Sequence, residues 1–412
     1  NNDVARHFHI VTELQLSSRV SATGSERLLR EVLGVLTRNH DSLRARFYMQ
    51  DGCWRQEIRE TLDMNEVLVC YRRGSTVTTQ ADQSAIEALA CRPFALETEP
   101  LFRCVLVQGP EGGSESLVLA LHHLVADWVS LRILITDLNT LTRALLNDDA
   151  DVARLSPPHV LNEVAEERST ELESAPAAAA DAYRKAVATM DALAPNCGVH
   201  SELHILNLQI SAVDLARLRD SLRRRSAAEH VQFRLQHLLL AAALSELGDL
   251  LPHDEIPLLV ESHGRDGTLD LARQVAWLTR ARLFNLDPQI FRGPDALLQA
   301  SRILQVDGTL QLDVFACAAA EPASRGALPA LMSFNFLGEF ANSQHADDPF
   351  CLTRKVFDNA MAPTSPVDVP LHVECYVVDS VLEVQVAWSP GVFESEAMQA
   401  CWERVRYRLA SF

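Results

Sequence analysis

A change in composition between about Asn147 and Pro195 divides the sequence into two halves. The segment opens with acidic residues, passes Ser156-Pro157-Pro158 and continues into four alanines after Pro176. Proline and acidic residues interrupt hydrophobic periodicity and alanine favours helix, so the segment indicates loops and short helices that join two lobes. The patterns on both sides mix strands with helices. The sequence therefore predicts an α+β fold with two lobes of similar size, and a cleft between them is the expected ligand site.

The secondary-structure patterns follow from residue spacing and turn residues. In the first half, strands are predicted at 8–16, 101–108 and 116–121, helices at 25–40 and 129–146, and a hairpin turn at Asp51-Gly52. In the second half, strands are predicted at 204–210, 256–261 and 331–336, helices at 212–225 and 234–247, and a hairpin over 372–388 closed by Asp379-Ser380.

Composition excludes several classes of protein. Hydrophobic residues make up 48% of the 412 residues, which is typical of a globular chain and not of a disordered one. With 37 basic and 55 acidic residues, the net charge of −18 repels phosphate, so neither nucleic acid nor an anionic membrane is an expected partner. The longest apolar stretches, 238–244 and 314–320, are far shorter than the ~20 residues that span a bilayer.

Cysteine usage and the N-terminus indicate the cytoplasm. The nine cysteines are scattered, odd in number and never spaced as C-x-x-C, which argues against both a metal site and a disulfide framework. The first residues, NNDVARHFHIV, lack the basic region and apolar core of a signal peptide. We therefore expect reduced thiols in a cytoplasmic protein.

The pattern H-H-x-x-x-D, formed by His122, His123 and Asp127, is the strongest candidate for chemistry. It follows a predicted strand and precedes a predicted helix, whose free N–H groups the Asp127 carboxylate can cap. Neighbouring residues on a strand point to opposite faces, so one imidazole would face a cleft while the other packs. An imidazole with a pKa of ~6.5 suits proton transfer near neutral pH. A paired histidine taken by itself is more often structural or incidental, and the motif alone does not decide.

The stretch LVLALHHLVADWVSLRILITDL resembles the core motif of the condensation-domain superfamily of nonribosomal peptide synthetases, and more narrowly that of the epimerization domains. Further matches occur in the family's order. They are NHDSLR at 39–44, RPFAL at 92–96 with PLFR at 100–103, ESHGRD at 261–266, QVAWLT at 274–279 and SFNFLG at 333–338. The last three are similar to elements of epimerization domains rather than of amide-forming ones.

This resemblance implies a fold and a reaction. The fold is a pair of chloramphenicol-acetyltransferase-like lobes in a V, residues 1–170 and 171–412, with a tunnel at their junction. The first lobe would carry the H-H-x-x-x-D motif and the second the ESHGRD and SFNFLG motifs. The reaction is L-to-D epimerization of an aminoacyl or peptidyl thioester, as in antibiotic and other secondary-metabolite synthesis. A peptidyl carrier protein would deliver the thioester on its phosphopantetheine arm, so the domain, expected to be a monomer in isolation, needs no cofactor or metal of its own.

The resemblance also implies residue roles. His123 and Glu261 would remove and return the α-proton, from the first and the second lobe respectively. Asn335, with Phe336 beside it, would stabilise the enolate or the substrate carbonyl. Asp127 would be structural and pair with an arginine such as Arg265, and His122 would belong to the same structural motif.

Two residues depart from the family pattern. Trp128 stands where the family has glycine, a residue that usually indicates positive φ or a close approach, so the indole is expected to narrow the tunnel beside His123. Phe336 replaces a tyrosine and removes its hydroxyl. The pocket would then serve an epimerase of restricted substrate range or a domain with weakened chemistry. Two other functions stay open: a noncatalytic platform that docks a carrier protein or recruits a modifying enzyme, and amide-bond condensation.

Overall fold

The computed structural model describes residues 6–75, 77–110, 113–147, 161, 163–166, 177–193, 197–248, 250, 255–265, 269–305, 312–313, 328–340, 348–356 and 361–412. These residues form two compact units. Unit 1 comprises Asn1–Arg168, His263–Leu278 and Ala341–Pro363, and unit 2 comprises Ser169–Ser262, Thr279–Phe340 and Thr364–Phe412.

Strands and helices are mixed along the whole chain. The strands are β1 His9–Leu16, β2 Ala45–Gln50, β3 Cys53–Ile58, β4 Leu68–Arg72, β5 Phe102–Gln108, β6 Ser116–His122, β7 His204–Ile210, β8 Ile256–Ser262, β9 Arg280–Leu286, β10 Leu312–Asp313, β11 Met332–Phe340, β12 Phe350–Val356, β13 Leu371–Val378 and β14 Val381–Trp388. The helices are α1 Ser18–Thr23, α2 Ser25–Asn39, α3 Met64–Val67, α4 Gln80–Ala90, α5 Trp128–Leu146, α6 Ala177–Leu193, α7 Ala212–Glu229, α8 Leu235–Leu247, α9 Ala296–Gln305 and α10 Ser395–Ser411. The α+β class predicted from the sequence is confirmed.

Unit 1 is built on a five-stranded sheet with the strand order β12-β1-β6-β5-β4. The β4–β5 pair is parallel, whereas β1 pairs antiparallel with β6 and with β12. Helix α2 begins at Ser25 and buries its leucine and valine stripe, as its periodicity predicts. The long helix α5 follows β6 after a short turn, and this connection holds the H-H-x-x-x-D motif.

The hairpin predicted at Asp51-Gly52 is present in unit 1. Strands β2 and β3 pair from Ala45↔Ile58 to Gln50↔Cys53, leaving a two-residue turn. Asp51 has φ 53° and Gly52 has φ 77°, the left-handed conformations that a tight turn of this length requires. The hairpin predicted at Asp379-Ser380 forms in the same way between β13 and β14 of unit 2, with φ 52° and 63°.

Unit 2 is built on a seven-stranded sheet with the order β10-β9-β8-β11-β13-β14-β7. The three central strands β8, β11 and β13 run parallel, and the remaining pairs are antiparallel. One face of this sheet packs against helices in a large apolar core that includes Val260, Phe334 and Val373. On the opposite face, Tyr183 of α6 joins Leu259 in a smaller apolar cluster.

The predicted division into residues 1–170 and 171–412 is incomplete. The boundary at residue 170 lies outside the described residues, but two later segments, 263–278 and 341–363, belong to unit 1. The second supplies β12, which pairs with β1 and so extends the unit 1 sheet. The ESHGRD motif is therefore divided, because Glu261 and Ser262 belong to unit 2 and Arg265 belongs to unit 1. The predicted V-shaped arrangement and tunnel stay predictions.

Two further features bear on the sequence expectations. Within the described parts of the chain, no helix combines the length and the apolar character that crossing a bilayer requires. The linker segment contains a 17-residue helix, α6, which is longer than the short helices predicted there.

Candidate active site

The histidine pair lies at the end of β6, next to the first strand of unit 1. His122 is opposite His9 in the β1–β6 ladder, and the His123 amide donates to the Phe8 carbonyl at 2.8 Å. The chain then turns, and the Asp127 side chain caps α5 by accepting from the Ser130 amide at 2.8 Å. The strand–turn–helix context predicted for the motif is present.

Asp127 is held by donors on every side. Arg265 contacts it with both terminal nitrogens, Nη1 to Oδ2 at 2.8 Å and Nη2 to Oδ1 at 2.9 Å. The Leu278 amide donates to Oδ2 at 3.1 Å, and the Ser130 amide occupies Oδ1 from the helix side. Asp127 is only 1% exposed. A buried carboxylate whose oxygens all accept hydrogen bonds fixes local structure, and the predicted pairing of Asp127 with Arg265 is present in unit 1.

His122 is buried among aromatic rings. The rings of His9 and Phe94 approach it edge-on, with centroids at 6.3 Å and 5.7 Å. Its Nδ1 accepts from the Leu124 amide at 3.1 Å, so the proton of the neutral ring is on Nε2. Adjacent strand residues point to opposite faces, so His122 packs inward while His123 points the other way.

His123 lies in an aromatic pocket of unit 1. Its ring stacks on Phe8 with centroids 4.4 Å apart, and Trp277 meets it edge-on at 5.3 Å. Burial lowers the pKa of His123 to about 4, although the negative charge of Asp127 opposes the shift. The imidazole is therefore neutral at pH 7. Its Nδ1 has no hydrogen-bond partner among the described residues, which leaves a lone pair or a proton available for chemistry.

Trp128 is the first residue of α5, directly after the Asp127 cap, and its side chain is half-buried. It is not among the non-glycine residues with positive φ in the described chain. The backbone at this position therefore does not need glycine, and the difference from the family pattern is one of side-chain volume alone. The prediction that the indole narrows a tunnel stays a prediction.

In unit 2, parallel strands align a row of polar side chains on one face of the sheet. The register pairs Phe334 with Val260, so the next residues, Asn335 and Glu261, are neighbours. On the other side of β11, Asn335 is in register with Glu374. Because side chains alternate between faces, Glu261, Asn335 and Glu374 all lie on the face opposite the large helical core.

Glu261 has the environment of an acid/base group. Asn335 Nδ2 donates to Glu261 Oε2 at 2.7 Å. Burial raises the pKa of Glu261 to about 7, an effect that His372 opposes and Asp368 strengthens. A carboxyl group with a pKa close to the working pH can both accept and return a proton, so it suits proton transfer.

Phe336 lies on the other face of the same strand. It packs against the apolar core of unit 2 and is in register with the buried Cys375. Asn335, one residue earlier, faces Glu261 instead. The structure therefore brings Asn335 and Glu261 together and separates Phe336 from them, and a role for Phe336 at the substrate stays a prediction that this alternation does not support.

Sequence reasoning missed four residues of these surroundings. Phe8 and Trp277 form the pocket of His123, and Glu374 and His372 flank Asn335 and Glu261. Trp277 could have been predicted from the sequence, because it lies in the QVAWLT segment that matches the family. Glu374 and His372 alternate with Val373 and Cys375, a pattern that also describes a strand with one solvated face.

The two sets of residues offer acid/base chemistry. Among the residues described, no three His, Cys, Asp or Glu side chains are close enough to hold a metal ion. Unit 1 presents a neutral imidazole, and unit 2 presents a carboxyl group of near-neutral pKa with an amide donor beside it. The predicted convergence of His123 and Glu261 on one channel stays a prediction.

Several synthetases are similar to this chain in sequence. A linear gramicidin synthase of Brevibacillus parabrevis is 26% identical over 391 residues, 90% of this chain. Malformin synthetase mlfA of Aspergillus luchuensis is 30% identical over 282 residues, 66% of this chain. The chain spans only about 5% of the length of each of these relatives.

Solved structures share the fold at low identity. The epimerization domain from the third module of tyrocidine synthetase B has a TM-score of 0.80 at 19% identity, with 98% of this chain and 91% of that one covered. The X-domain from teicoplanin biosynthesis has a TM-score of 0.68 at 15% identity, with 98% and 90% covered. The likeness supports the two-lobed chloramphenicol-acetyltransferase-like fold that the sequence predicts. The family model for the condensation domain matches residues 3–281, about two thirds of the sequence. This chain therefore belongs to the condensation-domain family.

Proposed function

We propose that this chain is an epimerization domain of a nonribosomal peptide synthetase. It inverts the α-carbon of an aminoacyl or peptidyl thioester from L to D while a peptidyl carrier protein holds the thioester on its phosphopantetheine arm. The proposal also assigns it to the cytoplasm and to a monomeric state as an isolated domain. Membership of the condensation-domain family, the synthetases among its relatives and the likeness to a tyrocidine synthetase epimerization domain support the class.

One observation carries the choice of epimerization: the carboxyl group of Glu261, with a pKa of about 7, receives a hydrogen bond from Asn335 at 2.7 Å. The α-proton of a thioester is weakly acidic, and its removal leaves a planar enolate. Inversion then requires either a second group that returns a proton to the opposite face or one group that moves between the faces. A carboxyl group poised near neutral pH meets this need, whereas amide formation does not call for one in this place.

The proposed mechanism divides the work between four residues. His123, which is neutral at pH 7, and Glu261 act from the two sides of the α-carbon: one takes the proton from carbon, and the other gives a proton back. Asn335 donates to the enolate or carbonyl oxygen. Asp127, held by Arg265, fixes the turn that presents His123. Proton count and charge balance over one cycle, and exchange with solvent resets the two groups.

The test is the epimer ratio of a carrier-bound amino acid. A carrier protein loaded with an L-aminoacyl or L-peptidyl thioester is incubated with the domain, and the released acid is separated by chiral chromatography. Wild type is expected to produce the D epimer. His123→Ala and Glu261→Gln are expected to lose at least about a hundredfold in rate. Glu339→Gln, which alters an exposed carboxylate on the same strand as Asn335, is the control. Equal rates in Glu261→Gln and wild type would contradict the proposal.

A noncatalytic platform is the second candidate, and one comparison favours it. The X-domain from teicoplanin biosynthesis has also been solved as a complex with OxyB, and that structure has a TM-score of 0.64 and 16% identity to this chain. A chain that neither inverts nor exchanges the α-position of any loaded carrier, yet binds a modifying enzyme tightly, would be such a platform. An amide product from two loaded carriers would instead identify condensation.

A further inference from the structure

Glu261 is part of a larger charged cluster on the sheet of unit 2. Beside the Glu261–Asn335 bond, Ser333 Oγ lies 2.8 Å from Nδ1 of His372, and Nε2 of His372 lies 3.4 Å from Asp368 Oδ1. The side chains of His372 and Asp368 are 31% and 40% exposed. The mechanism proposed above uses neither His372 nor its neighbour Glu374.

The strand register fixes the layout of this cluster. Ser333 is in register with His372, and Asn335 with Glu374, on the parallel strands β11 and β13. Neighbouring strands are about 4.8 Å apart, so the backbones of Glu261 and Glu374 lie roughly 10 Å apart with Asn335 between them. Long glutamate side chains on the same face can reduce that separation, and both residues are half-buried.

The charges in the cluster affect one another. Burial, together with the negative charge of Glu261 and against the effect of His372, raises the pKa of Glu374 to about 7. Because Coulomb coupling is mutual, Glu374 also raises the pKa of Glu261. His372 has the opposite effect on both carboxyl groups, because a positive charge favours their ionised forms.

Ser333 and Asp368 hold the ring of His372 between them. Burial acts to lower the pKa of His372, but its interactions with Asp368, Glu261 and Glu374 outweigh burial and raise it. The interaction between His372 and Asp368 also lowers the pKa of Asp368, although burial acts to raise it. A serine–histidine–aspartate set invites comparison with a hydrolase triad, but Ser333 is only 4% exposed, so a substrate has little access to its hydroxyl. The raised pKa of His372 favours the positively charged form of its ring instead.

We propose that His372 and Glu374 are positioning residues that set the proton affinity of Glu261 in opposite directions, His372 lowering it and Glu374 raising it. This inference rests on the proposed function in that Glu261 is the group that exchanges the α-proton. The balance keeps Glu261 divided between its two protonation states near pH 7, as a group that both takes and returns a proton requires.

The other strands beside Glu261 add no charge on this face. Ala281 of β9 is in register with Glu261, so Arg280 and Arg282 on either side of it point to the opposite face. Helix α6 contributes Tyr183, which belongs to the apolar cluster around Leu259. The charged groups that act on Glu261, namely His372, Glu374 and Asp368, lie on and just before β13.

The experiment is a direct titration of Glu261 in the full chain. Carboxyl carbon resonances of ¹³C-labelled glutamate are followed from about pH 4 to about pH 9 by NMR, and the Glu261 signal is identified by its loss in Glu261→Gln. Glu374→Gln is expected to move the Glu261 midpoint at least about half a pH unit lower, and His372→Gln to move it at least as far higher, roughly a threefold change in proton affinity each way. Glu339→Gln, on the same sheet but exposed and paired with Arg219, should leave it unchanged.

The outcomes separate the inference from the proposed function. The inference is overturned if the titration midpoint of Glu261 stays fixed or moves upward in Glu374→Gln. Because glutamine has the same shape as glutamate, this variant is sufficient for the test even if His372→Gln does not fold. Opposite shifts in the two variants support it. The pH profile of epimerization should follow the same shifts; NMR shifts without any epimerization would retain the electrostatic inference and reject the proposed function.

Discussion

Arg265→Ala is expected to destabilise unit 1 by removing the partner of a buried charge. In the native state the guanidinium donates twice to Asp127, and their side chains are 5% and 2% exposed. The variant leaves Asp127 buried with the Ser130 and Leu278 amides as its remaining backbone donors. Removing one partner of a buried ion pair lowers the free energy of unfolding by about 3–5 kcal/mol. Replacing both partners with well-packed apolar residues has a far smaller effect and is often neutral.

The magnitude can be checked against a matched exposed pair. Arg406 contacts Glu403 at 2.8 Å, but these side chains are 56% and 57% exposed, so Arg406→Ala should cost less than about 1 kcal/mol. A double-mutant cycle adds Asp127→Asn, which removes the buried charge. In that background Arg265→Ala should cost much less than it does alone, because no uncompensated carboxylate remains.

The assay is hydrogen exchange at the amides of Ser130 and Leu278, which donate to Asp127, together with the urea midpoint. In Arg265→Ala these amides should exchange roughly a hundred- to several-thousand-fold faster, which corresponds to the loss of about 3–5 kcal/mol. If Arg265→Ala changed protection and midpoint no more than Arg406→Ala does, the reasoning that the pair holds the motif would be refuted.

Three further predictions concern the histidine and tryptophan sites of unit 1. Trp277→Ala opens the pocket of His123, so the His123 pKa should rise from about 4 towards its ordinary value of 6.5 in an NMR titration; an unchanged pKa would mean that Trp277 does not desolvate it. The pKa of His123 is lower in the folded state than in the unfolded state, so its contribution to stability is complete above pH 6.5 and is lost as the pH falls towards 4. In His123→Gln the urea midpoint should therefore depend less on pH over that range. A pH dependence as steep as that of wild type would contradict this prediction. Trp128→Gly should increase the rate of epimerization if the indole obstructs the substrate, whereas an unchanged or slower rate would reject that interpretation.

Local features of the fold could be predicted from the sequence because the information for them is local. The Asp51-Gly52 and Asp379-Ser380 turns adopt positive φ as such residues allow, and Asp127 caps α5 as its place before an apolar helix indicates. Most predicted strands and helices are present, with ends that differ by a few residues.

Pairings between distant residues could not be predicted. Strand β12 returns to unit 1 from far along the chain and pairs with β1, and Leu278 donates to Asp127, which lies 151 positions earlier in the sequence. The residue spacing near positions 350 and 278 does not predict these contacts, because they depend on loop closure and packing rather than on local secondary-structure preference.

The residues of the candidate site also separate into those that could be predicted from the sequence and those that could not. The Asp127–Arg265 and Glu261–Asn335 contacts lie in segments that match family motifs, so the resemblance reached all four residues. Glu374 was missed because its strand alternates polar and apolar residues like any half-exposed strand, and only the register with Asn335 places it near Glu261.

The proposed function depends most on one step, in which Glu261 exchanges a proton with the α-carbon of a carrier-bound thioester. Deuterium incorporation measures this step: the domain is mixed in heavy water with a carrier protein bearing an L-aminoacyl thioester, and the mass of the released amino acid is followed over time. We predict that the α-position gains one deuterium with wild type and with Glu339→Gln, and gains it far more slowly with Glu261→Gln. Label that enters at the wild-type rate without the Glu261 carboxyl group, or no label with any loaded carrier, would contradict the proposed role of Glu261.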